Sequence, residues 1–336
     1  MPDRFPILTG PTPLVPAPRL SRELGIELSI KRDDVAGPSL GGNKARQLEY
    51  YFGQARAEAA DTILITGARQ SNYVRLAASV ARMLGMDAVV QLEDRVPQTT
   101  EIYKRSGNVL LDRLFGVEIM TYPDGEDEAG ADRALFDRAD ALRAAGRKPY
   151  VIPLGEGHPP LGALGYVDAG GELAGQDSAF DVVVVASGSG ATHAGLLAGL
   201  RGAGHASRVI GSCVRRDAAA QTARIGRVID RMRPLTPAAE RVGPSDILLW
   251  DGALAPGYGK IGPAALGAMR RMAEAEGLLL DPVYTAKAFA AVIALVEDGS
   301  ISRGSQVCFV HTGGLAGLFA YEDVLTDMLS EAGQTV

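Results

Sequence analysis

Cysteine is scarce in this chain of 336 residues, with only Cys213 and Cys308. Both sit in short apolar runs, "RVIGSCV" and "SQVCFVH", that read as buried strands. Two reduced interior thiols are therefore expected, not a disulfide framework. Histidine is nearly as rare. His158, His193, His205 and His311 show no metal-ligand spacing with cysteines or carboxylates, which argues against zinc. There is no excess of positive charge either. A formal net charge of −6 offers no basic field to nucleic acid or anionic lipid. No uninterrupted apolar run is long enough to span a bilayer. The N-terminal "MPDRFPILTGPTPLVPAP" lacks the charged–apolar–small order of a signal peptide. The expectation is a cytoplasmic globular protein that binds neither nucleic acid nor membrane.

The rest of the composition is ordinary for such a protein, at 46% hydrophobic and 22% charged, and the length suits two domains. Strand-like and helix-like patterns alternate nearly throughout. "IELSIKRD", "DTILITG", "MDAVVQLE", "VEIMTY", "KPYVIPLG", "DVVVVASGSG", "SRVIGSCV", "DILLW" and "SQVCFVH" read as strands, with helical patterns in most of the gaps between them. This alternation specifies an α/β fold with mainly parallel sheets covered by helices. No linker composition divides the chain, as expected when one domain is inserted into another.

Several turns carry chemistry. In "SLGGNKARQLEYYF" (Ser39–Phe52) a lysine follows two glycines and an asparagine at the mouth of an apolar helical run. Gly41 and Gly42 let another body approach the backbone, and Asn43 is a natural helix cap. Lys44 then falls in the first turn, where the helix dipole disfavours a cation by roughly 0.3–1 kcal/mol. That is one route to a neutral, nucleophilic lysine; the plain alternative is a solvated surface residue. "VVVVASGSGATHAGLLAGL" passes from strand to helix through Ser187, Gly188, Ser189, Gly190, Ala191 and Thr192. Small residues let backbone N–H groups converge there, and hydroxyls add donors, forming a cradle for one phosphate. A dinucleotide site needs a third glycine, where His193 stands, and an acid ending the next strand, where "SCVRRD" stands. A tight turn without a ligand is the alternative. In "GARQSNYVR", Ser71 and Asn72 either cap a helix or hold a carboxylate against its N–H groups. "APGYGKIG" and "LLLDPVYTAKA" add Tyr258 and Tyr284, which are either ligand contacts or packing residues. A Schiff-base lysine, a cradle for one phosphate and a carboxylate turn together describe a pyridoxal 5'-phosphate enzyme acting on a small amino acid.

These motifs resemble those of the D-cysteine desulfhydrase and 1-aminocyclopropane-1-carboxylate (ACC) deaminase family, which has the tryptophan-synthase-β-like fold type II. The likeness runs from "GPTPL" at Gly10 to "FAYEDVL" near Leu325. It is carried by "KRDD", "GGNKARQLE", "QSN", "SGNVLLDRLFG", "KPYVIPLG", "LGALGYV", "VVVASGSGATHAG", "APGYG", "LLLDPVYTAKA" and "FVHTGG". The resemblance implies two open, twisted, mainly parallel sheets with helices on both faces. It places the cofactor between a large domain, 1–50 with 155–336, and a small domain, 51–154. It implies that Lys44 carries pyridoxal phosphate, that Asn43 and Asn72 contact it, the latter at the 3'-oxygen, and that Ser187–Thr192 holds its phosphate. Ser71 would sit beside the reacting carbon, with Tyr258 and Tyr284 over the substrate as hydrogen-bond or acid/base groups. Gln70, Tyr73, Arg69 and His158 would complete the substrate pocket, and a homodimer is the expected assembly.

Thr285 stands where ACC deaminases carry a glutamate facing the pyridine nitrogen, and "HTGG" replaces "HLGG". Both features resemble the desulfhydrases. A neutral threonine would leave that nitrogen unprotonated and favour prompt loss of a good leaving group. The expected reaction is therefore β-elimination by a carbon–sulfur lyase, giving pyruvate, ammonia and sulfide. Departures keep alternatives open. Tyr73 replaces the usual histidine of "QSNH", Arg69 replaces an aliphatic residue, and "GEGHPPLGALGY" with His158 resembles the deaminase form. An arginine near the carboxylate turn would suit the sulfonate of an L-cysteate sulfo-lyase, unless it merely pairs with an acid. ACC deaminase, a racemase or dehydratase, and a non-catalytic cofactor-binding protein are the other readings.

Overall fold

The computed structural model describes residues 2–96, 99–154, 157–176 and 179–331. Among them are ten strands: β1 (Leu14–Pro16), β2 (Glu27–Lys31), β3 (Thr62–Ala68), β4 (Asp87–Glu93), β5 (Glu118–Tyr122), β6 (Pro149–Ile152), β7 (Val182–Ser187), β8 (Arg208–Cys213), β9 (Leu248–Trp250) and β10 (Gln306–Val310). All but β1 fall on runs legible in the sequence. The helices that matter here are α1 (Lys44–Ala57), α2 (Asn72–Met83), α3 (Gly107–Leu114), α4 (Leu161–Gln176), α5 (Ala191–Gly202), α6 (Ala218–Met232) and α7 (Thr285–Glu297).

The chain forms two compact units. The first, Met1–Ala57 with Glu156–Gly313, holds a six-stranded sheet in the order β1-β2-β10-β7-β8-β9. It is parallel except for β1, which runs antiparallel to β2. β7 is buried at every position, which is why its valine run shows no alternation. Cys213 and Cys308 are buried in this sheet, and neither is in a disulfide. The second unit, Glu58–Gly155 with Gly314–Val336, holds a parallel sheet in the order β5-β4-β3-β6. The sequence-based division left the chain after Gly314 in the large domain; here it groups with the second unit. The Tyr321 ring meets Tyr103 edge-on at 5.4 Å, and a Cβ on Gly107 would lie 2.8 Å from Ala316 O. Among the described residues no helix is long and apolar enough to cross a membrane.

In the first unit, α1, α4 and α5 approach so closely that only glycine fits between them. A Cβ on Gly165 would lie 1.9 Å from Arg46 O, on Gly195 2.2 Å from Ala163 O, and on Gly199 2.3 Å from Val167 O. A buried ionic knot fixes the same packing. Arg46 donates to both carboxylate oxygens of Asp33 (3.0 and 2.9 Å) and to both of Glu172 (2.9 and 2.8 Å). Thr12 and Tyr166 hydroxyls donate to Asp33 at 2.7 and 2.6 Å. Lys31 donates to Glu172, Gln176 and Thr12 O. Burial alone would raise the Asp33 pKa; the Arg46 charge and these donors outweigh it and hold the carboxyl below its ordinary value.

Helix contact at the glycines predicts a sharp contrast. Gly195→Ala is expected to lose about 2–3 kcal/mol in equilibrium urea unfolding. Gly171→Ala, where an added Cβ meets nothing within 4 Å, should gain roughly 0.5–1 kcal/mol. Equal effects at the two positions would contradict this packing.

Candidate active site

Four consecutive residues ahead of α1 have positive φ: Ser39 (51°), Leu40 (68°), Gly41 (56°) and Gly42 (120°). A side chain on Gly41 would collide with Asp34 O at 2.5 Å. For Ser39 and Leu40 the left-handed conformation costs roughly 1–2 kcal/mol each. Gly42 N donates to Ala36 O and Asn43 N to Thr312 O, both at 3.0 Å, so the loop is pinned where it delivers Lys44. Burial of the Lys44 ammonium lowers its pKa to about 8, so near that pH half of the amine is neutral. Its Nζ lies 3.3 Å from Gln47 Oε1.

One turn along, Gln47 donates to Thr192 Oγ1 at 2.8 Å, and Asn43 Nδ2 does the same at 2.8 Å. Both lone pairs of that hydroxyl are thereby occupied, which leaves it its proton to donate. Thr192 lies in the first turn of α5, whose start has no side-chain cap. Gly190 precedes it at φ 103°. Behind the turn, Gln221 donates to Gly188 O (3.0 Å) and Arg224 to Ser189 O (2.8 Å). With these carbonyls drawn back, the planar peptides aim the N–H groups of Ser189 and Gly190 the other way. The Ser187 hydroxyl is engaged inside the fold, accepting from Gln221 at 2.9 Å and lying 3.2 Å from His193 Nδ1. Burial pushes the His193 pKa down to about 4, so the ring adds no charge at neutral pH. The turn therefore fits a phosphate through backbone N–H groups, the α5 terminus and Thr192, with Ser187 as scaffold.

In the same unit the Tyr258 and Tyr284 hydroxyls are 2.6 Å apart, and the Arg215 guanidinium lies 5.9 Å from the Tyr258 ring centroid. Tyr284 immediately precedes α7. The Asp281 carboxylate accepts from the N–H groups of Val283, Tyr284 and Thr285 (2.9, 3.0 and 2.7 Å) and from the Thr285 hydroxyl (2.7 Å). Burial raises its pKa against the pull of those donors. The Thr285 proton, expected to reach a pyridine nitrogen, thus faces competition from a carboxylate four residues back. Lys287 is fully buried and its pKa is also lowered to about 8, chiefly by burial. His158 lies half-buried in the turn before α4, while Gly155 and Glu156 of its loop lie outside the described residues.

In the second unit, Ser71 caps α2, accepting from Val74 N at 3.2 Å. Arg75 Nε donates to Asn108 Oδ1, and Asn108 Nδ2 donates to Asn72 Oδ1, both at 3.1 Å. Guanidinium can only donate, so the direction of the chain is set and Asn72 is left with its NH₂ to offer. Gln70 is engaged locally, its Nε2 bonded to Tyr103 O and Ser106 O (2.7 and 2.9 Å) and its Oε1 to Asn108 N (2.8 Å). Tyr73 is buried. Arg69 pairs with Asp94 through Nε and, at 3.2 Å, Nη2. Local sequence pattern does not single out Gln47, Gln221, Arg224 or Lys287 as site residues. The available signals were the three-residue helical spacing of Lys44 and Gln47 and a lone charge inside the apolar "TAKAFAAV".

A half-buried lysine of lowered pKa beside a turn that fits a phosphate, on an α/β scaffold, points to the pyridoxal-phosphate class. Residues 7–313 match the family described as pyridoxal-phosphate dependent enzyme, and the chain belongs to that family. The fold agrees with a crystal structure of an ACC deaminase homologue, 36% identical, with a TM-score of 0.84 over 97% of this chain and 96% of that one. O-ureido-L-serine synthase is 18% identical (TM-score 0.64, 93% of both chains). The processed form of threonine deaminase isoform 2 from Solanum lycopersicum is also 18% identical (TM-score 0.63, 95% of this chain and 83% of that one). The last two share the fold.

Gly190→Asp should abolish retention of pyridoxal phosphate, because an acid there repels the phosphate and occupies its approach. Thr192→Val should weaken binding about tenfold, the worth of one hydrogen bond to a charged group. Equilibrium dialysis of the apoprotein checks both; wild-type affinity in Gly190→Asp would mean the cradle lies elsewhere.

Proposed function

We propose that the protein is a carbon–sulfur lyase of the D-cysteine desulfhydrase kind, converting a small thiol amino acid and water to pyruvate, ammonia and sulfide. The observation that carries the reading is the state of the residues at the start of α7. Thr285 is neutral and fully buried, and the carboxylate bonded to it, Asp281, is occupied by three backbone N–H groups and the Thr285 hydroxyl. That carboxylate is committed to its own turn and does not hold a proton on the cofactor ring. A weaker electron sink suits a leaving group that departs readily, such as a thiolate, better than a ring carbon.

When bound, pyridoxal phosphate supplies the electron sink for the carbanion formed at Cα. Everything else falls to side chains. Lys44, with its ammonium pKa lowered to about 8, is the base that takes the Cα proton onto Nζ. The Tyr258–Tyr284 hydroxyl pair supplies a proton to the departing sulfur, with the second hydroxyl replacing the lost hydrogen bond. Ser71 and the N–H groups opening α2 would suit a substrate carboxylate, and the Asn72 NH₂ would be a donor for the cofactor.

The sulfo-lyase reading rested on Arg69, whose guanidinium is engaged by Asp94. ACC is the second substrate to try, because the 36% identical structure is called an ACC deaminase homologue. The test compares sulfide, sulfite and 2-oxobutyrate release from D-cysteine, L-cysteate and ACC. Sulfide with pyruvate is expected to dominate by at least tenfold in kcat/KM, and Arg69→Ala should change each substrate equally. Dominant 2-oxobutyrate would make the protein an ACC deaminase. Sulfite release sensitive to Arg69→Ala would make it a sulfo-lyase.

A further inference from the structure

Burying a lysine is costly unless the ammonium has work to do. Lys287 is completely buried, and its Nζ donates to two backbone carbonyls, Leu254 O (2.9 Å) and Gly257 O (2.8 Å). Both belong to the 251–262 segment, which contains no helix or strand. Its glycines are permissive, with Gly257 at φ 133° and Gly259 at φ 68°. The stapled carbonyl of Gly257 is one residue from Tyr258. The staple itself stands on α7, three residues after Tyr284. One ammonium group therefore joins the two stretches of chain whose tyrosine hydroxyls meet at 2.6 Å.

We propose that Lys287 is a positioning residue, acting through Tyr258, that holds the tyrosine pair in register for proton transfer to the leaving group. This rests on the reading of the pair given above. A methionine of similar length would fill the space but release both carbonyls, leaving Tyr258 on a glycine-rich loop free to shift. A displacement on the order of 1 Å at such a group costs up to a hundredfold in rate. Lys44 and the phosphate turn take no part in the staple, so cofactor binding should be indifferent to it.

The experiment is a double-mutant cycle on the holoenzyme with Lys287→Met, Tyr258→Phe and the pair, with amide hydrogen exchange measured in parallel. The expected result for Lys287→Met is a tenfold to hundredfold fall in kcat, with cofactor affinity within threefold of wild type and faster exchange confined to residues 252–262. The double variant should be no slower than Tyr258→Phe alone. If Lys287→Met does not fold, Lys287→Arg, which keeps the charge but moves the donors, takes its place in the same cycle with the same expected pattern. Additive losses, or unchanged exchange in 252–262, would overturn the proposal while leaving the pair's role intact. Wild-type turnover in Tyr258→Phe would instead refute the pair's role, and the proposal with it.

Discussion

Arg46 is the residue on which the geometry of the first unit turns. Its guanidinium is bound by two carboxylates, buried Asp33 beyond the end of β2 and half-buried Glu172 on α4. Such a knot is not a source of net stability, since each charge had to be desolvated. Its effect is to hold the partners in place, since removing one leaves an uncompensated buried charge, at about 3–5 kcal/mol. Lys44 lies two residues before Arg46 on the same helix and Gln47 one residue after it. The knot thus helps to set where the Lys44 amine emerges and where Gln47 meets Thr192. The glycine contacts of α4 with α1 and α5 complete the constraint by leaving the helices no room to slide.

Desolvation is then used twice, to different ends. Both Lys44 and Lys287 have their pKa lowered to about 8 by burial. Lys287 commits its nitrogen to two carbonyls and becomes architecture. Lys44 stands at the end of a strained left-handed loop, beside the Gln47 amide, which in turn bonds Thr192 of the proposed phosphate cradle. For either lysine the folded value lies below the unfolded one. Burial of these amines therefore costs stability below about pH 8, a cost relieved as pH rises toward the unfolded value near 10.5. A fold that accepts that cost at two positions has a use for each.

Much of this could be read in advance from local pattern. Nine strands showed as short apolar runs, and the cradle and the lysine turn showed as glycines and hydroxyls at strand–helix junctions. The missing parts are nonlocal. β1 is three residues among prolines and pairs antiparallel at a sheet edge, so it has no pattern of its own. Arg46 and Glu172 are 126 residues apart, and nothing in "GGNKARQLE" announces a partner. Thr285 was legible as a hydroxyl but not as one already engaged by Asp281. Arg69 was legible as a cation near a carboxylate turn, while its engagement by Asp94 depends on β3 and β4 lying side by side.

The central claim is that, of two lysines with similarly lowered pKa, half-buried Lys44 and fully buried Lys287, it is Lys44 that carries the cofactor. Borohydride reduction of the holoenzyme followed by proteolysis and mass spectrometry tests it most directly. The account predicts a single reduced pyridoxyl group, on the peptide containing Lys44, and none on Lys287. A label on Lys287, or on any peptide that lacks Lys44, would contradict it.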